Sequence, residues 1–203
     1  MTAAYEPSGW DKLRNEGVGP TQLAFLDLVR KTKDTKHYAA NVIWGNIQTP
    51  DYARAMLRLV VDFLDTPKDI EAGVAARTAR ADLIGTEGRS YHVIIGHDAL
   101  RANIGGPEVM RGQLARLLES FEMPGLKLGI IPDRTTRYIY PGHSFGIFDS
   151  RRVEIELFGG SLTYTERDQV DAYEKAFGLL ERSAVYGDEA KALISAELDA
   201  LRI

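Results

Sequence analysis

The chain has no cysteine and no long hydrophobic run. The absence of thiols excludes disulfides, thiolate metal sites and cysteine nucleophiles. No apolar stretch approaches the roughly 20 residues that span a bilayer, and the N-terminal stretch MTAAYEPSGW lacks the apolar core of a signal peptide. We therefore expect a cytoplasmic protein without membrane contact.

The excess of one charge sign over the other is also small. The net charge is −4, and no basic stretch is long enough to follow a phosphate backbone, so direct nucleic-acid binding is not expected. The four histidines show no HExxH or similar metal-ligand spacing. Gly105-Gly106-Pro107 precedes a helix but is not followed by the Lys of a phosphate-binding loop, and there is no G-x-S-x-G motif. The sequence therefore predicts neither a metal nor another cofactor.

A strand–helix–strand pattern is present between residues 91 and 133. Val93-Ile94-Ile95 is typical of a buried strand, and Pro107 suits the first position of a helix. Apolar residues at helical spacing follow, and residues 126–131 supply the next strand. Strands joined by a helix are usually parallel, so the pattern predicts a βαβ unit.

The flanking segments complete an α/β or α+β fold with a mixed sheet. Short apolar runs predict a C-terminal strand meander over residues 138–140, 145–148 and 153–158, followed by two C-terminal helices. Thr49 and Pro50 predict the start of an earlier helix, with an inward face formed by Tyr52, Met56, Leu59, Val60 and Phe63.

The predicted domain organisation is an N-terminal arm over residues 1–34, with one helix, and a single domain over residues 35–203. Thr21 is the expected N-cap of the arm's helix. The mixed-charge stretch Lys31–Lys36 is interpreted as a solvated turn.

His97, Glu154 and Glu156 are the candidate catalytic residues. His97 lies beside Asp98 at the predicted C-terminal end of a strand, where an imidazole can act as a general base near neutral pH. A turn histidine bonded to the backbone is the alternative. Glu154 and Glu156 share one face of a strand about 7 Å apart, a spacing at which two carboxyl groups can divide acid and base roles. A solvated sheet face is the alternative for this pair.

Six further residues are candidates for ligand binding. Arg77 and Arg80, three apart on a predicted helix, are suited to clamp a carboxylate or phosphate, although a surface charge pair fits the spacing equally well. Aromatic side chains with interspersed polar groups are typical of small-molecule pockets. We assign the ligand-binding role to Trp44, Gln48, Tyr52, Arg77, Arg80 and His143.

Four motifs occur in order over residues 35–203: Gly45-X-Ile47-Gln48-Thr49-Pro50-X-Tyr52-Ala53-Arg54, Arg77-X-X-Arg80, Ala99-Leu100-Arg101 and Gly105-Gly106-Pro107-X-Val109-Met110-Arg111-X-Gln113-Leu114. A strand pair ending on Glu156 and a C-terminal helix with Tyr173, Phe177 and Leu180 complete the set. Together these features resemble an actinobacterial domain of unknown function. That domain is usually found C-terminal to a helix-turn-helix in XRE-like and Scr1-type antitoxin-like regulators.

The resemblance implies a regulatory module that senses a ligand or a partner, with no assigned chemistry. Two departures stand out. The residues before position 35 offer one helix, not the several that a helix-turn-helix needs. Gly96-His97 replaces an acidic pair that the family tends to place before Ala99-Leu100-Arg101.

Two functions of different class follow. The first is a stand-alone regulator-type domain that binds a small molecule or a small protein and lacks its DNA-binding module. The alternative is a repurposed metal-independent enzyme of specialised metabolism, with His97 and Glu156 as acid and base. A homodimer is compatible with both. The enzyme hypothesis requires these two side chains to converge on one cavity.

Overall fold

A computed structural model describes residues 5–6, 16–67, 69–158 and 160–201. Within these ranges one mixed sheet contains eight strands in the order β1-β7-β6-β5-β2-β3-β4-β8. The strands are β1 (Tyr5–Glu6), β2 (Asp34–Ala39), β3 (Ser90–Gly96), β4 (Leu126–Ile131), β5 (Phe145–Phe148), β6 (Arg152–Leu157), β7 (Gly160–Tyr164) and β8 (Val185–Tyr186).

Seven α-helices surround the described sheet. They are α1 (Val18–Lys31), α2 (Pro50–Leu64), α3 (Ile70–Thr78), α4 (His97–Arg101), α5 (Pro107–Ser120), α6 (Arg167–Glu181) and α7 (Gly187–Ala200). Short 3-10 turns cover Gly45–Ile47, Ala81–Leu83 and Thr86–Gly88. None of the helices in the described ranges is long and apolar enough to cross a membrane.

The predicted fold class is confirmed. Strands β3 and β4 are parallel and are joined through α5, which begins at Pro107 as expected. Strands β5, β6 and β7 form an antiparallel meander, and α6 and α7 are the two C-terminal helices. Strand β2 adds a third parallel strand beside β3 and pairs antiparallel with β5.

The two faces of the sheet bury different sets of side chains. On the face that we call face A, Val93 and Ile95 pack against Tyr52 of α2, Leu114 of α5 and Ile194 of α7. On the opposite face, face B, the apolar side chains of β2, β5 and β6 pack against Val170, Phe177 and Leu180 of α6. Side chains alternate along a strand, so neighbouring residues of β2 and β5 serve opposite faces.

The interpretation of Lys31–Lys36 as a solvated turn was wrong. Strand β2 begins at Asp34 and lies between β3 and β5, and Thr35 pairs with both Tyr91 and Phe148. The stretch is polar, but its backbone is hydrogen-bonded on both sides, and pairing of this kind overrides local composition.

The inward face assigned to α2 was also wrong by about one residue. The buried positions of α2 are Tyr52, Ala53, Leu57, Val61 and Leu64, whereas Leu59 and Phe63 are 56% and 63% exposed. The helix carries apolar residues on two adjacent stripes, and packing against α3 and Val18 of α1 selects the stripe that contains Leu57.

Two smaller predictions fail for similar reasons. Residues 138–140 form no strand, because both edges of β5 are already paired, with β2 and β6. Thr21 lies inside α1 and does not cap it; the Asp69 carboxylate accepts hydrogen bonds from the backbone N–H groups of Val18 and Gly19 at 2.8 and 2.7 Å. Residues 1–4 and 7–15 of the predicted arm, including Trp10, lie outside the described residues.

Candidate functional site

Two arginines of α3 and the turn that follows it share one hydrogen-bond acceptor. The Oε1 atom of Gln22, on α1, accepts from Arg77 Nε at 3.1 Å and from Arg80 Nη2 at 3.0 Å. Arg80 also stacks over the ring of Phe25, with 4.8 Å between its guanidinium carbon and the ring centroid. Arg80 is only 3% exposed. The two side chains therefore do not form the surface charge pair that was the alternative interpretation, because Arg80 is buried and Arg77 is partly buried. We call these two cations the arginine pair.

The arginine pair has no neutralising carboxylate in contact. Within the described residues no Asp or Glu oxygen lies within 4 Å of either guanidinium group, and Glu156 acts on both only from a longer distance. Two nitrogens bonded to one oxygen at 3.0 and 3.1 Å are at most about 6 Å apart, where like charges repel by about 3 kcal/mol at the effective protein dielectric. This arrangement is unfavourable unless an anion joins it.

The loop between β2 and α2 forms one wall around the arginine pair. The Oε1 atom of Gln48 accepts from Arg77 Nη1 at 2.9 Å, while its Nε2 atom donates to the carbonyl of Ile43 at 2.7 Å. A Cβ atom at Gly45 would come within 3.2 Å of Arg80 Nη2, so the missing side chain leaves room for the guanidinium group. The Tyr52 hydroxyl accepts from the Ile43 N–H at 3.3 Å and fixes the same loop.

Gln113 of α5 holds this loop through two hydrogen bonds to its backbone. Its side chain is fully buried, accepts from the backbone N–H of Thr49 at 2.7 Å and donates to the carbonyl of Ile47 at 3.0 Å. Thr49 in turn caps α2 by accepting from the Tyr52 N–H. The motif that begins at Gly45 and the motif that contains Gln113 therefore contact each other through these hydrogen bonds.

Within the described residues, three buried polar atoms around the arginine pair make no hydrogen bond to the protein. They are Arg80 Nε, Asn46 Oδ1 and His37 Nδ1. Asn46 follows Gly45 in the loop wall, and the His37 ring lies 6.0 Å from the Trp44 ring. Buried polar atoms in native proteins are nearly always paired, so this group of atoms marks the surroundings of the arginine pair as a candidate binding site.

Burial is the largest cause of the pKa shifts at the site, and the neighbouring charges add to it or oppose it. Burial, and then repulsion by Arg77, lowers the pKa of Arg80 to about 9. Burial lowers the pKa of Arg77 as well, and the Glu156 carboxylate partly opposes that change. Burial, and then the charge of Arg80, lowers the pKa of His37 to about 3. At neutral pH the site therefore contains the neutral imidazole of His37 beside two mutually repelling guanidinium groups.

The lowered pKa of His37 predicts that the free energy of unfolding falls in acid. The unfolded imidazole binds a proton below its ordinary pKa of 6.5, whereas the folded one stays neutral down to about pH 3. The unfolded state therefore holds more protons in that window, and the free energy of unfolding falls as the pH falls. Between pH 7 and pH 4.5, His37→Gln should lose less stability than the wild type by on the order of 3 kcal/mol in urea denaturation.

The exposed His143 supplies the control for this measurement. His143→Gln makes the same substitution at an exposed histidine that does not contact the arginine pair. Equal pH dependence of His37→Gln and the wild type would mean that His37 is not held neutral by burial.

The arginine pair brings together most of the residues predicted to bind a ligand. Arg77 and Arg80 both donate to Gln22, and Arg77 also donates to Gln48. Trp44 and Tyr52 belong to the loop wall that contains Gln48. Sequence reasoning missed Gln22, His37 and Asn46. His37 and Ala39 point to face A while Tyr38 between them points to face B, and this alternation along β2 is the signal that could have found His37.

The predicted catalytic pair is not formed. His97 lies at the end of β3 and Glu156 on β6, and β2 and β5 separate these strands by roughly 14 Å of sheet. His97 instead lies between two other carboxylates, with Nε2 2.9 Å from Glu197 and Nδ1 3.5 Å from Asp133. Neither contact has hydrogen-bond geometry.

Glu154 is engaged by its neighbours on face A. It pairs with Arg152 and accepts from the Thr163 hydroxyl at 3.0 Å. Glu156, with which Glu154 was predicted to share acid and base roles, is exposed near the end of β6 and acts on the arginine pair through its charge. The two glutamates therefore have different surroundings and do not share one reaction centre.

His143 lies apart from the arginine pair. It contacts face B residues, with its Nε2 atom 2.8 Å from the Tyr173 hydroxyl. Of the residues predicted to bind a ligand, it is the one that the fold separates from the others.

The fold and the site together define a mixed α/β domain with two adjacent arginines on one face of its sheet that, within the described residues, no carboxylate contacts. The chain belongs to the family described as "Domain of unknown function (DUF5753)", whose model matches residues 22–196. No curated protein matches the chain.

Two solved structures are similar in part. NucT from Helicobacter pylori aligns with a TM-score of 0.42 at 11% identity, over 83% of this chain and 92% of that one. TrmBL2, described as an archaeal chromatin protein with a novel mode of DNA binding, aligns with a TM-score of 0.41 at 9% identity, over 84% of this chain and 52% of that one. At these TM-scores neither likeness bears on function.

Proposed function

We propose that this protein is a regulator-type ligand-binding domain and that its ligand presents an anionic group to Arg77 and Arg80. The single observation that carries the proposal is that the guanidinium groups of the buried Arg80 and the partly buried Arg77 share one amide oxygen and, within the described residues, have no carboxylate within ion-pair distance. A charge buried without a counter-charge costs several kcal/mol, and a bound anion removes that cost.

The unpaired donors define the chemical class of the ligand. Within the described residues, the Arg80 Nε–H has no acceptor, and the guanidinium group makes one side-chain hydrogen bond, to Gln22. Arginine donors match the oxygens of a carboxylate or a phosphate, often in pairs. A small anion, or the anionic end of a larger molecule, therefore suits the site better than a neutral or cationic group.

The enzyme alternative has less support. It required His97 and Glu156 to face one cavity, and the sheet places them three strands apart. The binding hypothesis needs no reaction centre. A direct prediction separates the two: His97→Ala leaves the affinity for an anion nearly unchanged, because His97 contacts Glu197 and Asp133 and not the arginine pair.

Anion-dependent stability tests the proposal. Sodium phosphate at pH 7.5 should raise the melting temperature of the wild type above its value in sodium chloride of equal ionic strength, and the increase should saturate with concentration. At a phosphate concentration of 100 times Kd, the gain corresponds to about 2.7 kcal/mol. Arg77→Gln should abolish the increase, because it removes one of the two cations and its bond to Gln48.

Arg167→Gln is the matched control for that experiment. Arg167 lies on the surface of α6, where its side chain is 78% exposed and pairs with Asp171. This variant changes the net charge by the same amount, so it should keep the full response to phosphate. An equal response of wild type, Arg77→Gln and Arg167→Gln would show that phosphate acts on the whole surface, and the proposal would be wrong.

A further inference from the structure

Face B carries a cavity that is separate from the arginine pair. Its volume is about 240 Å³, and it lies between β2, β5, helix α6 and the irregular segment before β5. Six side chains form most of its wall: Tyr38, Ile139, Phe145, Tyr173, Ala176 and Leu180. Tyr140, Gly142, His143 and Ala172 complete the lining, and Tyr140 is 80% exposed.

The cavity wall is aromatic and its rings are held by one another. Tyr173 meets Phe145 edge to face with 4.9 Å between ring centroids, and it stacks on Tyr164 at 5.8 Å. Tyr38 packs against Phe145 at 6.0 Å. Rings arranged in this way favour a further ring placed edge-to-face or offset against them.

Two hydroxyl groups give the cavity polar character without charge. The Tyr38 side chain is 3% exposed, and within the described residues its hydroxyl donates no hydrogen bond to the protein. Burial raises the pKa of this hydroxyl, the charge of Arg137 lowers it and that of Asp98 raises it, so the hydroxyl stays neutral at physiological pH. The Tyr173 hydroxyl lies 2.8 Å from Nε2 of His143. Burial, and then the neighbouring Tyr164 hydroxyl, raises the pKa of Tyr173 to about 12, so this hydroxyl stays neutral at physiological pH.

We propose that this cavity is a second ligand site and that it binds a neutral planar aromatic molecule of one or two rings with one hydrogen-bond acceptor. An apolar cavity of 150 Å³ holds one benzene ring, so about 240 Å³ accommodates a single or fused ring system. Among the described residues, no Asp, Glu, Lys or Arg side chain lines the cavity, so a charged ligand would lose its hydration there without a compensating charge. The Tyr38 hydroxyl is the donor that the acceptor would satisfy.

The second site is independent of the anion proposal. Tyr38 faces the cavity on face B, whereas His37, the preceding residue of β2, belongs to the arginine pair on face A. The sheet therefore separates the two sites, and substitutions at Arg77 should not affect the cavity. Failure of one proposal can be distinguished from failure of the other.

Quinoline at pH 8 is a suitable probe, because it is neutral, planar and carries one acceptor nitrogen. Isothermal titration of the full chain should give saturable binding with one site. Ala176→Leu fills the cavity and should weaken binding at least tenfold. Ala192→Leu is the same change on the exposed face of α7 and should leave the affinity unchanged. Tyr38→Phe should weaken quinoline binding about fivefold, and it should not change the binding of naphthalene, which has no acceptor.

Ala172→Leu, at the exposed edge of the cavity, provides a second filling variant if Ala176→Leu does not fold. It should also weaken quinoline binding, while Arg77→Gln should not. The proposal is overturned if quinoline gives no saturable binding, if neither filling variant weakens it, or if benzoate or benzylammonium binds more tightly than quinoline.

Discussion

Arg80→Met is expected to abolish the stabilisation by phosphate and to lower the free energy of unfolding of the ligand-free protein by no more than about 1 kcal/mol. The substitution removes one hydrogen bond and the stacking of the guanidinium on Phe25, which together contribute about 2–4 kcal/mol. It also removes the desolvation of a buried cation and a repulsion of about 3 kcal/mol. Met retains most of the apolar contact with Phe25.

The acceptor left behind supports this expectation. The Gln22 oxygen still accepts from Arg77 Nε at 3.1 Å, so Arg80→Met leaves no unpaired amide oxygen. Urea denaturation in chloride and in phosphate, at one ionic strength, measures both effects. If Arg80 were only a structural cation, its loss would cost 3–5 kcal/mol in chloride, and the difference between the two salts would be small for the wild type as well. That outcome would contradict the anion site.

Gln113→Leu is expected to lower the free energy of unfolding by about 3 kcal/mol. The side chain is fully buried and is bonded to the Thr49 N–H and the Ile47 carbonyl. Leucine has a similar volume but leaves both backbone groups buried without partners, at about 1–3 kcal/mol each. The same loop presents Gln48 to Arg77, so the affinity for phosphate should fall as well.

Glu119→Leu on the same helix serves as the control for this variant. Glu119 is exposed and pairs with Arg116 one turn away at 3.4 Å, so its replacement should change stability by no more than about 0.5 kcal/mol. A Gln113→Leu protein as stable as Glu119→Leu would show that the two hydrogen bonds do not fix the loop.

The central part of the fold was predictable because its signals are local. Val93-Ile94-Ile95 is a run of β-branched residues inside β3. Pro107, a few residues further along the chain, marks the first position of α5. The same holds for the cap at Thr49, where side-chain oxygen, proline and helix dipole all favour one boundary. Elements whose local preferences agree are the ones that sequence patterns identify.

Strand β2 could not be predicted in the same way. Its first residues, Asp34, Thr35 and Lys36, are polar, and they become a strand because β3 and β5 supply hydrogen bonds on both sides. The stripe of α2 that is buried was likewise decided by its neighbours, since Leu57 and Phe63 are both apolar and only contact with Val18 and Val74 selects the former. Long-range partners of this kind leave no trace in a short window of sequence.

The candidate site shows the same division. The spacing of Arg77 and Arg80 was visible and indicated an anion clamp, but their burial and the shared oxygen of Gln22 depend on how α1 packs on α3. The predicted union of His97 with Glu156 failed because the order of strands places β2 and β5 between them. Strand order is a property of the whole chain, so residue spacing alone could not exclude that pairing.

The most direct test observes the Nε–H of Arg80 during a phosphate titration. This group is buried and has no hydrogen-bond partner, so an anion between the two guanidinium groups should shift its nitrogen and proton NMR resonances along a saturable curve. The Nε–H of Arg167, exposed on α6, should shift only slightly and without saturation. Equal, non-saturating shifts of both resonances would contradict the central claim that the arginine pair binds an anion.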